Sequence, residues 1–189
     1  YNHFIPSIVI PLITRGEFLT SYTPYQAEAS QGTLQVAYEF QTMVCNLMGM
    51  DVANDGMYEG ATSVAEAALM ACRITGRDGI AIINTMSPTY REVIETYTKP
   101  QGLKIHLLDP NNLIIPKETA CVLAQYPNFF GYIENLSGYK KACDQSGALL
   151  VVSTDPVAMG MFRPPGDLGA DIVTGEGQGL GIPMSFGGP

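Results

Sequence analysis

Apolar residues along the chain alternate between two kinds of spacing. From Thr33 to Met48, TLQVAYEFQTMVCNLM sets Val36, Ala37, Phe40, Met43, Val44 and Leu47 on one helical face. Gly49 then supplies a natural stop. A second helix is predicted over GATSVAEAALMACRIT, where Ser63 and Glu66 have capping-box spacing and Gly76 closes the pattern. Its many alanines let it lie close against a sheet. IAIIN, residues 80–84, is instead a continuous apolar run of the kind found in buried strands. Ser87-Pro88 opens a further helix, SPTYREVIETYT, with proline at its first position. KIHLLD (104–109), ACVLAQ (120–125) and ALLVVS (148–153) read as strands, residues 134–146 as a helix, and DIVT (171–174) as a last strand.

Strand, helix and strand in turn predict a mostly parallel sheet flanked by helices, an α/β fold. In such sheets ligands bind outside the carboxyl ends of the strands. Three features fall there together: the turn before Ser63, Asp155 after ALLVVS, and the glycine-rich stretch TGEGQGLGIPMSFGGP after DIVT. Glycine at every other position from Gly175 to Gly181 suits a backbone that must turn sharply or approach something closely.

Composition narrows the function. The net charge is -8 and Lys140-Lys141 is the only basic pair, so no cationic face for a nucleic acid is predicted. No stretch approaches the ~20 apolar residues of a membrane span, and no signal peptide is visible. Cys45, Cys72, Cys121 and Cys143 are scattered without a C-x-x-C pair, which predicts buried, reduced thiols rather than a metal site or a disulfide framework. The chain starts without Met and ends inside a glycine-rich loop, and it reads as a piece of a longer polypeptide.

The candidate chemistry lies in short segments. EGATS (59–63) places Gly60, Ala61 and Thr62 at a helix N-terminus, where free amides and the helix dipole cradle an anion. Plain capping explains the same turn. Asp155, before Pro156, suits either a partner for a cationic ring nitrogen or an N-cap for PVAMGMF. YTPYQ (Tyr22, Thr23, Pro24, Tyr25 and Gln26) is a polar aromatic turn, fit for a pocket lining or for an ordinary surface loop. His3 and His106 are the only histidines, and neither is assigned a role. The glycine loop lacks the G-K-[ST] of a Walker motif, and no G-x-G-x-x-G joins an early strand to a helix.

Residues 18–75, from FLTSYTPYQAEASQGTLQ to ACRIT, closely resemble the P-protein of the glycine cleavage system. So do QYPNFFGYIENL (125–136) and DPVAMGMFRPPGDLGADIVTGEGQGLGIPMSFGGP (155–189). More narrowly the chain resembles the N-terminal, or alpha, subunit of the two-subunit glycine dehydrogenase (decarboxylating). The resemblance implies the large-domain portion of a pyridoxal-phosphate (PLP) enzyme of fold type I. It implies one domain over 1–189, with residues 1–32 a leading segment and active-site loop and 33–189 an α/β core. In that family a helix N-terminus receives the cofactor phosphate, an aspartate pairs the pyridine nitrogen, and a lysine forms the Schiff base. Gly60, Ala61 and Thr62 match the phosphate cradle and Asp155 the aspartate. Aligned on Ile182-Pro183, Gln178 falls where the lysine stands. The five lysines, Lys99, Lys104, Lys117, Lys140 and Lys141, all lie before the loop, and an amide cannot form the imine that an amine forms. The sequence also departs from the family's His-Pro after the strand, having Ser87-Pro88 and so losing a ring that could stack on a pyridine.

The resemblance therefore implies a vestigial cofactor site, with PLP on a beta subunit in an α2β2 assembly and YTPYQ lent to the partner's active site. The implied reaction decarboxylates glycine and passes the aminomethyl group to the lipoyl arm of the H-protein. A cytoplasmic location is implied for a bacterial or archaeal source, and the mitochondrial matrix for a eukaryotic one. A catalytically silent scaffold and an independent phospholigand-binding module are the alternative readings.

Overall fold

Long runs of Val, Ile, Leu and Ala are satisfied only by burial on both faces, and they form the centre of the molecule. The computed structural model describes residues 3–29 and 31–184. Its strands are β1 (Gly79–Ile83), β2 (Lys104–Leu108), β3 (Thr119–Tyr126), β4 (Leu149–Thr154) and β5 (Ile172–Gly175), in the sheet order β2-β1-β3-β4-β5. All four pairings are parallel. Every residue of β1 is buried, whereas the edge strand β2 leaves Lys104 and Leu107 exposed.

The helices are α1 (Val9–Ile13), α2 (Gly16–Leu19), α3 (Gln31–Met48), α4 (Gly60–Thr75), α5 (Pro88–Thr98) and α6 (Leu136–Ser146). Val64 and Ala68 of α4 and Ile94 of α5 cover one face of the sheet with Ile80, Ile82 and Leu123. On the other face Tyr139 and Cys143 of α6 pack with Ile83, Val122, Leu150 and Val152. At the amino ends of the strands, Arg77 ties the layers together. Its guanidinium donates to Thr119 O at 3.0 Å and to Ser146 O and Gly147 O at 2.9 Å.

Two expectations are corrected. The Ser63–Glu66 capping box does not form, because α4 begins at Gly60, three residues before Ser63. Ser63 Oγ donates to Gly60 O at 2.7 Å from inside the helix, and Glu59 is the cap, accepting from Ala61 N at 2.6 Å and Thr62 N at 2.8 Å. The apolar stripe of α3 is also only partly covered. Val44 and Leu47 pack on the core and Met48 is buried, but Val36, Phe40 and Met43 are 46%, 39% and 61% exposed. Only the last turns of α3 reach the layer beneath the sheet. Neither α1 nor α2 has a buried residue.

The thiols divide two and two. Cys121 and Cys143 are buried, while Cys45 and Cys72 are half-buried, so the expectation of buried cysteines holds for half of them; all four are free. Burial pushes the Cys143 thiol up to about 12 and that of Cys121 well above the ordinary range. The core accepts the neutral thiol, so the folded pKa lies above the unfolded one. That contribution to stability is complete below an unfolded pKa of about 8.5 and is lost as pH rises toward the folded value. Melting followed by circular dichroism should show the midpoint falling between about pH 9 and 12, and falling less steeply in Cys143→Ala. A midpoint unchanged through pH 11 contradicts this account.

Candidate functional site

β5 ends at Gly175, where the backbone passes close to its neighbours. An added Cβ there would lie 3.0 Å from Thr154 O and 3.3 Å from Pro156 Cγ. Glu176 follows and then a short 3-10 turn, Gly177–Leu180. The Glu176 carboxylate faces two helical N-termini at once. One oxygen accepts from Gly60 N of α4 at 2.8 Å and the other from Gln178 N at 3.1 Å. Unpaired amides and aligned dipoles at both termini favour an anion there.

Glu59 takes the next amides of α4, as described above. Burial works against its charged form, but the Thr62 side chain and the Thr62 and Ala61 amides more than offset that, leaving the carboxyl below its usual range. Tyr90, in the first turn of α5, fills the space in front of Gly60: a Cβ on Gly60 would collide with its hydroxyl and sit 3.3 Å from Glu176 Cβ. Burial raises the Tyr90 phenol, and the fields of Glu176, Glu59 and Asp155 raise it further.

The cofactor phosphate does not fit this arrangement. The Gly60, Ala61 and Thr62 amides are each committed to a carboxylate, and Thr62 Oγ1 donates to Glu59 O at 3.2 Å. A phosphate would meet two like charges instead of free donors. The loop also offers no amine: Gln178 Nε2 reaches Pro183 O at 3.5 Å.

The structure joins Gly60, Ala61, Thr62 and Gln178 in one constellation and sets Asp155 beside it. Asp155 is exposed and caps the 3-10 turn Pro156–Gly160 through Val157 N at 2.9 Å. Tyr22, Thr23, Pro24, Tyr25 and Gln26 lie in a loop of their own between α2 and α3. Glu28 shapes that loop by accepting from Tyr22 N at 2.8 Å, Thr23 N at 2.6 Å and Thr23 Oγ1. Gln26 Nε2 donates to Thr23 Oγ1 at 2.8 Å. The rings of Tyr22 and Tyr25 stand 91% and 79% exposed. Residues 185–189, the end of the glycine stretch, lie outside the described residues, as does Ser30. Sequence reasoning overlooked Glu59, Glu176 and Tyr90. A carboxylate directly before a run of small helical residues, and another inside a glycine loop, were the available signals.

Among the described residues, no cluster of His, Cys, Asp or Glu is placed to hold a metal ion. No helix among them is long and apolar enough to cross a membrane.

This architecture is the large-domain portion of PLP-dependent transferase fold type I. A chain from Campylobacter jejuni, described as an O-acetylhomoserine (thiol)-lyase bearing a pyridoxyl-lysine, superposes on 75% of it, and on 36% of its own length, with a TM-score of 0.64 at 14% identity. That likeness shows the fold alone. The chain belongs to the glycine cleavage system P-protein family, whose profile matches residues 1–189. It is 51% identical over 199 residues to a probable glycine dehydrogenase (decarboxylating) subunit 1 of Desulforamulus reducens, an alignment covering all of this chain and 44% of the relative. A crystal structure of glycine decarboxylase, the P-protein of the glycine cleavage system, in inhibitor-bound form matches 99% of this chain and 44% of its own, with a TM-score of 0.91 at 45% identity. The chain thus spans less than half the length of the relatives it matches.

Proposed function

We propose that this chain is part of the subunit of glycine dehydrogenase (decarboxylating) that does not bear PLP. It works with a partner subunit that holds PLP on a lysine, in an α2β2 assembly in the bacterial or archaeal cytoplasm. The reaction decarboxylates glycine and transfers the aminomethyl group to the lipoyl arm of the H-protein. PLP supplies the electron sink for the carbanion left when carbon dioxide departs. The observation that carries the reading is a helix N-terminus whose amides are taken by Glu59 and Glu176, beside a glycine loop that holds Gln178 and no lysine. The uncovered apolar surface of α1, α2 and α3 supports it, since large exposed apolar patches mark sites of association.

Borohydride reduction of the assembled enzyme, followed by peptide mapping, tests the assignment. All pyridoxyl-lysine is expected on the partner subunit, and a pyridoxyl-lysine peptide from this chain would overturn it. The exposed YTPYQ loop is this chain's contribution to the partner's active site. Tyr25→Phe removes one hydroxyl and should lower turnover about fivefold, the worth of ~1 kcal/mol, while the bound-cofactor absorbance stays unchanged. The filled crevice also suits a silent scaffold. Under that reading Tyr25→Phe alters stability and leaves the rate alone.

A further inference from the structure

We propose that Glu176 is a built-in anion that latches the glycine loop onto α4 and, with Glu59, closes the helix N-terminus to phosphate. The inference deepens the reading of this chain as the cofactor-free half and rests on it. Glu176 lies 116 residues from Gly60 in sequence, and its two carboxylate oxygens reach different N-termini, that of α4 at 2.8 Å and that of the Gly177–Leu180 turn at 3.1 Å. A free phosphate bound at a helix N-terminus spans amides in the same way, through oxygens on one anionic centre. Here the centre is covalently part of the chain. It arrives without the entropy cost of binding a ligand and is present at every cofactor concentration.

The remaining donors are also used. Glu59 holds the Ala61 and Thr62 amides, Ser63 Oγ is turned back to Gly60 O, and the Tyr90 hydroxyl occupies the volume in front of Gly60. The loop's shape is thereby kept without a cofactor. Gln178 is fixed at the first turn of its helix by the same carboxylate that holds α4. A glycine loop tied in this way presents one defined surface, where an untied loop of small residues would sample many conformations. The latch replaces the ordering that bound PLP provides in a working site.

The test uses inorganic phosphate, so it is independent of where the Schiff base forms. In titration calorimetry on the full-length wild-type subunit, no saturable phosphate binding is expected up to about 10 mM. The double variant Glu59→Gly, Glu176→Ala frees four amides, three on α4 and that of Gln178, and should bind phosphate at least tenfold more tightly. A folded double variant that gains no phosphate affinity overturns the exclusion, and so does a wild type that binds phosphate equally well. Glu176→Gln keeps the side-chain shape and loses the charge, so it tests the latch even where the double variant does not fold. By hydrogen exchange of the assembled enzyme, it should exchange about tenfold faster at residues 59–62 and 176–180 while α6 is unchanged. Unaltered exchange there overturns the latch. Pyridoxyl-lysine on this chain after borohydride would overturn the cofactor assignment instead.

Discussion

Gly166→Ala is expected to destabilise the fold by about 3 kcal/mol or more, a large effect for adding one methyl group. Two stretches of backbone meet here with no side chain between them. A Cβ on Gly166 would overlap Gly49 O, stand 2.5 Å from Gly49 C and lie 2.9 Å from Met48 O. From the other side, a Cβ on Gly49 would stand 2.8 Å from Asp167 Oδ1 and 3.1 Å from Asp167 N. Gly49 also has φ +68, the left-handed value that ends α3. The obstructing atoms at Gly166 are backbone, so no rotamer change relieves the overlap. The C-terminal turn of α3, which buries Met48 in the core, must move away. Urea unfolding should show the loss as a lower midpoint. Gly160→Ala is the control: among the described residues no atom lies within 4 Å of its added Cβ, so a change within about 0.5 kcal/mol is expected. Equal behaviour of the two variants would contradict the close approach.

Glu134→Ala should cost about 2–4 kcal/mol, because three donors lose one acceptor together. Its carboxylate accepts from Tyr139 Oη at 2.5 Å, Thr85 Oγ1 at 2.6 Å and Asn128 Nδ2 at 2.7 Å. These residues come from α6, the turn after β1 and the turn after β3, so one side chain joins three parts of the fold. Asn128 in turn braces its own turn, accepting from Phe130 N and Tyr132 N at 3.0 Å. Burial, reinforced by the bond to Glu134 and its charge, pushes the Tyr139 phenol well above its ordinary range. Tyr139→Phe alone should cost about 1 kcal/mol, and markedly less in the Glu134→Ala background, since neighbours in one network are not additive. Simple additivity in that double-mutant cycle would contradict a shared network. Loosening at Phe129 and Phe130, 53% and 64% exposed, should appear first as faster proteolysis.

Much of the framework was legible in the order of residues. Runs such as IAIIN and ALLVVS are too apolar for anything but burial, and helices between them force parallel pairing. Proline at the head of α5 and glycine after α3 and α4 marked boundaries that the structure keeps. The missing lysine could be read off directly. The start of α4 could not, because S-x-x-E spacing and an acidic cap at Glu59 are both locally reasonable and tertiary packing chose between them. The stripe on α3 announced an apolar contact without saying what would meet it. Half of that stripe remains outside this chain's own core.

By itself, the sequence determined the alternation of buried strands and helices, the family and the absence of an amine in the glycine loop. These follow from residue identity and short-range periodicity, which need no knowledge of distant neighbours. Only the tertiary structure decided that Glu176 meets Gly60 across 116 residues, that Tyr90 fills the space in front of Gly60, and that Gly49 faces Gly166. Parallel strands bring their carboxyl ends to one edge regardless of separation in sequence, so the segment after β5 meets the N-terminus of the helix packed over that edge.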